Sequence, residues 1–315
     1  MSQPSHATTS FTRGQLLGYV ALCLIWGSTW LAIRIVVYDV PPLEAAAVRF
    51  LIAAVLLLGL AFLRKRRWPQ GARQWNALFV LGFTIMAVPY GLLFWAEQYV
   101  TSSMTAILFS ASPLVVALLT PVLTHRKVPR TAVFALVVAF GGLLILFYKT
   151  DLSASRRSLL GGAAVLAAMV TSAWSVVYAK KRLQDVDSVV ATGLQLLLGS
   201  AALFWGTWAL EARRHAVWTR PALMALAFLT IFGSCVAFVI YYWLLKKMEP
   251  YQLSTISLIV PVIAVLEGAL FARESVPVMM VVVIAVVLIS VGSVLRAEAR
   301  TAHEDDVLML RGNAE

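Results

Sequence analysis

Apolar runs of roughly twenty residues, separated by short polar breaks, recur along the whole of this 315-residue chain and constrain its fold more than any other feature. A hydrocarbon core about 30 Å thick needs about 20 apolar residues per helix, and lipid offers no partner to an unsatisfied backbone amide. Ten such runs lie near residues 15–37, 44–63, 75–96, 102–124, 130–148, 158–179, 188–210, 221–245, 251–272 and 277–296. Most are too long and too uniformly apolar for barrel strands, which alternate over about ten residues. The pattern predicts an all-α integral membrane protein. With 61% hydrophobic and 13% charged residues, little remains from which to build a soluble domain.

The net charge of +11 therefore does not point to nucleic acid. The basic residues sit in short loops, where they set orientation. With the N-terminus inside, 17 of the 26 fall on inner segments, among them Arg64 to Arg67, Arg126, Lys127, Lys180 to Arg182, Lys246 and Lys247. Seven fall outside, and Arg34 and Arg49 lie within spans. The expectation is N-in and C-in, and the bias is clearest in the first half. The first apolar run carries no Ala-x-Ala-like cleavage site, so it reads as a retained span. Cys23 and Cys235 both lie inside apolar runs and suggest neither a disulfide framework nor a metal site.

The chain also repeats itself. Trp95, Pro113 and Pro129 each have an identical residue 148 positions later, at Trp243, Pro261 and Pro277. Ser28 and Trp30 recur 144 positions on, at Ser172 and Trp174. Shared spacing across whole spans weighs more than the identities themselves. The expected organisation is a polar tail at 1–14, a five-helix unit at 15–149, an outer linker at 150–157, a second unit at 158–296 and a polar tail at 297–315. Because five is odd, the second unit must enter the membrane inverted. Inverted repeats are characteristic of secondary transporters that rock around a midplane site.

Chemistry inside the spans is sparse. All four histidines and all six aspartates lie outside them, and of nine glutamates only Glu267 is well inside one. A hydrolase needs a nucleophile with its base, and a metalloenzyme needs several converging ligands. Neither can be assembled here, no Walker A pattern is present, and no cofactor is expected. The rival to transport is a membrane-embedded binding or signalling protein, against which the short loops argue.

Helical spacing then selects candidate pathway residues. Tyr19, Cys23, Trp26, Trp30 and Arg34 share a face of the first span, with Ser28 and Thr29 beside them. Mid-span indoles need acceptors, which a wet cavity supplies, though ordinary packing also accommodates tryptophan. Ser110, Pro113 and their small neighbours form a face of the fourth span. Such a face permits close packing, and Pro113 also frees a backbone carbonyl near the midplane. Pro261 repeats it, which favours a functional pair of bends. Tyr90 and Phe94 share a face in the third span, as do Phe238 and Tyr242 in the eighth. Charges within spans are costly, about 2.5 kcal/mol or more at mid-helix. Arg34 and Arg49 can snorkel or pair with Glu44 or Glu97, and Arg49 can attract a carboxylate. Glu267 can gate, carry a proton or hold an ammonium. The face Gly14-x-x-x-Gly18 suits either internal packing or a dimer, so monomer and homodimer both remain open.

Trp26-Gly27-Ser28-Thr29-Trp30, followed by Ile33 and Arg34, resembles the opening of EamA-type members of the drug/metabolite transporter superfamily. So do Val48-Arg49-Phe50, the stretch from Ser110-Ala111-Ser112-Pro113 to Gly141-Gly142, and residues 249–293. The resemblance covers roughly residues 14–296. It implies two inverted repeats around a central cavity formed largely by spans 1, 3, 4, 6, 8 and 9. It also implies export of small metabolites, often amino acids, across the bacterial inner membrane by alternating access, with efflux of cationic or lipophilic toxic compounds as the alternative. One departure is that His125-Arg126-Lys127 stands where the family commonly has a glutamate, whereas the second copy keeps Glu274.

Overall fold

A computed structural model describes residues 12–147, 156–271 and 281–296. The expected linker at 150–157 falls almost wholly outside the described residues, as do most of the N-terminal tail, all of the C-terminal tail, Pro277 and Glu274. Every described segment of length is helical. We label the helices α1 (Arg13–Asp39), α2 (Pro42–Leu63), α3 (Ala72–Ala96), α4 (Met104–Thr124), α5 (Arg130–Phe147), α6 (Arg156–Arg182), α7 (Ser188–Glu211) and α8 (Arg220–Lys247). Then come α9, in two pieces (Pro250–Ser254 and Ile256–Phe271), and α10 (Val281–Arg296). Among the described residues seven helices are long and apolar enough to cross a membrane, and three more apolar helices are shorter.

Local chemistry sets where these helices start. Thr12 and Gln15 form a capping box at α1. Asp187 caps α7, its carboxylate accepting from the amides of Val189 at 2.9 Å and Val190 at 3.2 Å. Pro41 cannot cap α2 with a side-chain acceptor. Glu211, at the far end of α7, does so instead, accepting from the amides of Leu43 at 3.1 Å and Glu44 at 3.2 Å.

The perimeter is apolar and exposed, as lipid requires. Leu17, Leu118, Phe134, Trp205 and Ile289 are each about 70% exposed. Inside, small residues let helices approach. Ala45, Ala46, Ala47, Ala53, Ala54 and Ala61 of α2 are fully buried. α7 lies along them, with Ser200 Oγ donating to the Ala47 carbonyl at 3.0 Å. Gly14 and Gly18 serve the same purpose within the chain: a Cβ at Gly18 would stand 3.2 Å from Ile240 Cγ2 and 3.3 Å from the Trp243 ring of α8. That small face is therefore used in internal packing.

Two helices are irregular at matching places. α3 is π-helical over Gly82–Ala87 and α8 over Leu229–Val236, positions separated by about the spacing of the sequence repeat. A third π segment, Thr207–Glu211, ends α7. Such bulges are common at functional sites. The expected matched pair of proline bends is corrected. α4 breaks at Ser110–Ala111, and Pro113 opens its second piece, where a missing N–H costs little. Pro261 instead lies inside the second piece of α9, whose break is at Thr255.

Candidate functional site

Where α1, α3 and α4 meet α6, α8 and α9, the protein encloses a cavity of about 130 Å³, room for several waters or a small solute. Its aromatic wall is a connected set of rings. Trp26 packs edge-on to Phe238 at 5.7 Å and against Tyr241 at 5.3 Å, Tyr90 meets Phe238 at 6.0 Å, and Trp30 meets Phe109 at 6.0 Å. Hydroxyls of Thr29, Ser112, Ser172, Ser254 and Ser257 interrupt this wall, and among the described residues no charged side chain lines it.

Most of these hydroxyls are already committed to backbone carbonyls. Thr29 donates to Trp26 at 2.8 Å, Ser254 to Tyr251 at 2.9 Å and Ser257 to Ser254 at 2.9 Å. Their lone pairs remain as acceptors facing the cavity. The break in α9 is pinned to α1 through Thr255. Its hydroxyl donates to the Gln252 carbonyl at 2.6 Å, so at the 2.6 Å contact with Tyr19 the phenol is the donor.

Of the residues selected from sequence, Trp26, Trp30, Tyr90, Ser172 and Phe238 line the cavity. The others stand elsewhere. Arg34 lies on the exposed side of α1 and donates to the Val100 carbonyl at 3.4 Å. Ser28 turns back to the Leu24 carbonyl at 3.0 Å, and Ser110 to Ile107 at 2.6 Å. Trp174 stacks on Tyr178 at 4.9 Å, and Tyr242 faces α7, donating to Gln195 at 2.5 Å. Pro113 and Pro261 are buried but do not face the cavity. Glu267 falls in α9, and its side chain is outside the described residues. Thr29, Ser112, Ser254, Ser257 and Tyr241 line the cavity although helical spacing did not select them. For Tyr241 the available signal was its adjacency to Tyr242. Only packing decides which of two neighbouring tyrosines shares the cavity side with Phe238.

Arg49 neither snorkels nor pairs with a described carboxylate. It is 1% exposed, with Nε donating to Ser234 Oγ at 2.8 Å and the rings of Phe50, Tyr90 and Phe94 around its guanidinium at 5.4, 5.3 and 5.9 Å. Phe94 is thus a wall for Arg49 rather than for the cavity.

The two ends of the bundle are closed differently. At one end Lys180 Nζ donates to the carbonyls of Leu245 at 2.9 Å, Met248 at 2.8 Å and Lys246 at 3.4 Å, where α8 runs out of donors of its own. Lys181 reaches the Leu123 carbonyl at 3.1 Å, Lys246 reaches Val186, and Arg126 pairs with Glu249 at 2.5 Å. At the opposite end Arg34 on Val100 is joined by Arg214 on Gln98 at 2.8 Å and Thr219 on Asp39 at 2.6 Å.

A cavity shared between two similar halves agrees with what known proteins show. The uncharacterized transporter YoaV of Bacillus subtilis is 27% identical over 262 residues, 83% of this chain and 89% of that one. The uncharacterized inner membrane transporter YedA of Escherichia coli is 28% identical over 281 residues, 87% and 90% of the two chains. Protein PagO of Salmonella typhimurium is 28% identical over 249 residues, 78% and 81%. A solved crystal structure shares the fold with a TM-score of 0.75 at 19% identity, covering 92% of this chain and all of the other. The EamA-like transporter family matches residues 12–148 and again 159–296, which together span both halves of the cavity wall. This multi-pass membrane protein belongs to the EamA-like transporter family.

Proposed function

We propose that the protein is a secondary transporter or facilitator that exports small amphipathic metabolites, amino acids or their relatives, across the bacterial inner membrane. In this reading ten helices span the bilayer as two inverted five-helix units, with both termini inside, and the cavity opens to each side in turn. The observation that carries it is the composition of the cavity wall: three helices from each matched half meet around one aromatic space. Substrate sites at the interface of inverted repeats are characteristic of alternating access. The inner-membrane location draws on the relative named as an inner membrane transporter. The orientation draws on the lysine-rich end that holds Lys180, Lys181 and Lys246.

The test is flux from purified protein in liposomes loaded with labelled amino acids and cationic dyes, with and without a pH gradient. Amino-acid release that ignores the gradient is the result expected of a facilitator. Release that follows the gradient and is lost in Glu267→Gln would assign proton coupling to that carboxylate. Dye movement without amino-acid movement would transfer the reading to efflux of cationic or lipophilic compounds, which the same aromatic wall suits. A folded protein that moves nothing from either panel would sink transport.

A further inference from the structure

Arg49 is a full positive charge in the apolar middle of the protein, and the described ion pairs, Arg66 with Asp187 and Arg126 with Glu249, leave it out. The titratable groups acting on it are Tyr90 and Cys235, neither of them an acid at neutral pH. One hydroxyl and three ring faces hold the guanidinium, while its buried Nη1 has no hydrogen-bond partner. Cation–π contacts recover only part of what a buried charge loses in leaving water, so an unpaired cation here is an expensive feature to keep. A merely structural pin for three rings would need only an apolar chain.

The arrangement brings the charge up to the cavity. A Cβ at Gly233 would stand 3.0 Å from Arg49 Nη2 and 3.1 Å from Thr29 Cγ2, so glycine at this position is what lets the guanidinium sit directly behind Thr29. Thr29 and Tyr90, which flank it, are both cavity wall, and the rest of the described wall is uncharged.

We propose that Arg49 makes the cavity selective for solutes bearing a carboxylate over matched neutral and cationic solutes. The proposal rests on reading the cavity as a solute site and names the substrate class for it, favouring amino-acid-like solutes over cationic lipophiles. A unit charge about 8 Å from the guanidinium, at an effective dielectric of about 20, is favoured roughly thirty-fold over a neutral group.

The experiment reads the sign of the potential directly. In a background lacking Cys23 and Cys235, a cysteine is introduced as Thr29→Cys or, further from Arg49, Ser257→Cys. Each is reacted with a sulfonate-bearing and a trimethylammonium-bearing methanethiosulfonate, with rates normalised to a free thiol in solution. The expected result at Thr29→Cys is a normalised preference for the anionic reagent of roughly tenfold or more. That preference should be weaker at Ser257→Cys, lost in Arg49→Met and retained in Arg49→Lys. Equal normalised rates, a ratio that Arg49→Met leaves unchanged, or loss of the preference in a folded Arg49→Lys protein would each overturn the proposal. A parallel flux arm compares 3-phenylpropionate with its amide. An Arg49-dependent potential without any flux would sink transport and leave the charge selection standing. Flux of both probes with no Arg49-dependent preference would do the reverse.

Discussion

Gly27 offers a direct test of how α1 and α9 fix the cavity. It follows Trp26 in α1, and a Cβ built there lies 2.5 Å from Ile263 Cγ2 and 2.7 Å from Ile263 Cβ. Ordinary carbon contacts begin near 3.5 Å, so Gly27→Ala must part the helices locally by roughly 1 Å. Ile263 cannot swing clear, because a β-branched side chain in a helix has essentially one rotamer and its Cβ is fixed to the backbone. Overpacking of this kind costs about 1–3 kcal/mol. The same displacement carries Ser257 and Val260 of α9 away from Trp26 and Trp30, so the cavity changes as well as the stability. Gly27→Ala should therefore lower the melting temperature of the purified protein in detergent and reduce solute flux. Ile263→Ala should partly rescue both, since it removes the 2.5 Å contact and leaves the 2.7 Å one. The double-mutant cycle should show a coupling of about 1 kcal/mol or more, where independent sites add within about 0.5 kcal/mol. An additive cycle, or a Gly27→Ala protein with wild-type melting and flux, would refute the reasoning.

Three further outcomes follow from the ends of the bundle. Glu211→Ala should destabilise the protein by about 1 kcal/mol in thermal unfolding, because α2 loses its remote cap, and Glu211→Gln should cost less. Lys180→Met removes the donor shared by three carbonyls at the end of α8. It should speed modification of Ser254→Cys by an impermeant maleimide added on the lysine-rich side, and an unchanged rate would show that Lys180 does not hold that end closed. Arg66→Ala should shift stability by less than about 1 kcal/mol, because its 3.4 Å pair with Asp187 joins an arginine that is 51% exposed.

Hydrophobic run length made the helices legible: each described helix lies over an apolar stretch, with ends differing by a few residues where caps such as Thr12 and Asp187 decide them. The cavity was legible in part. Trp26, Trp30, Tyr90 and Phe238 stood out as aromatic residues on shared faces, and they line it. What escaped was helix phase. A π segment adds a residue to a turn and rotates everything after it, and both α3 and α8 carry one just before their cavity residues. Regular 3.6-residue spacing therefore cannot say that Tyr241 faces the cavity while Tyr242 turns to Gln195. Arg34 escaped for another reason. A long side chain at a helix end takes whichever acceptor is in reach, and the Val100 carbonyl belongs to a turn that no face of α1 predicts.

That turn connects the repeat to the proposed cycle. Val100 and Met248 are separated by the same 148 residues as Trp95 and Trp243. Each offers its carbonyl to a cation from the first helix of a half, Arg34 on α1 and Lys180 on α6. The two halves thus use one device at opposite ends, but with unequal strength. Arg34 makes a single 3.4 Å contact from an exposed position, whereas Lys180 reaches three carbonyls, two of them within 2.9 Å. A charge-assisted hydrogen bond weakens with distance and with exposure to water, so the lysine end is the more firmly closed of the two. If the halves exchange roles during transport, the cost of releasing Lys180 must be offset by hydrogen bonds formed at the Arg34 end or by the solute itself. Pseudo-symmetry supplies the first route, since it gives the second end the same carbonyl and a cation within one turn of the matching position.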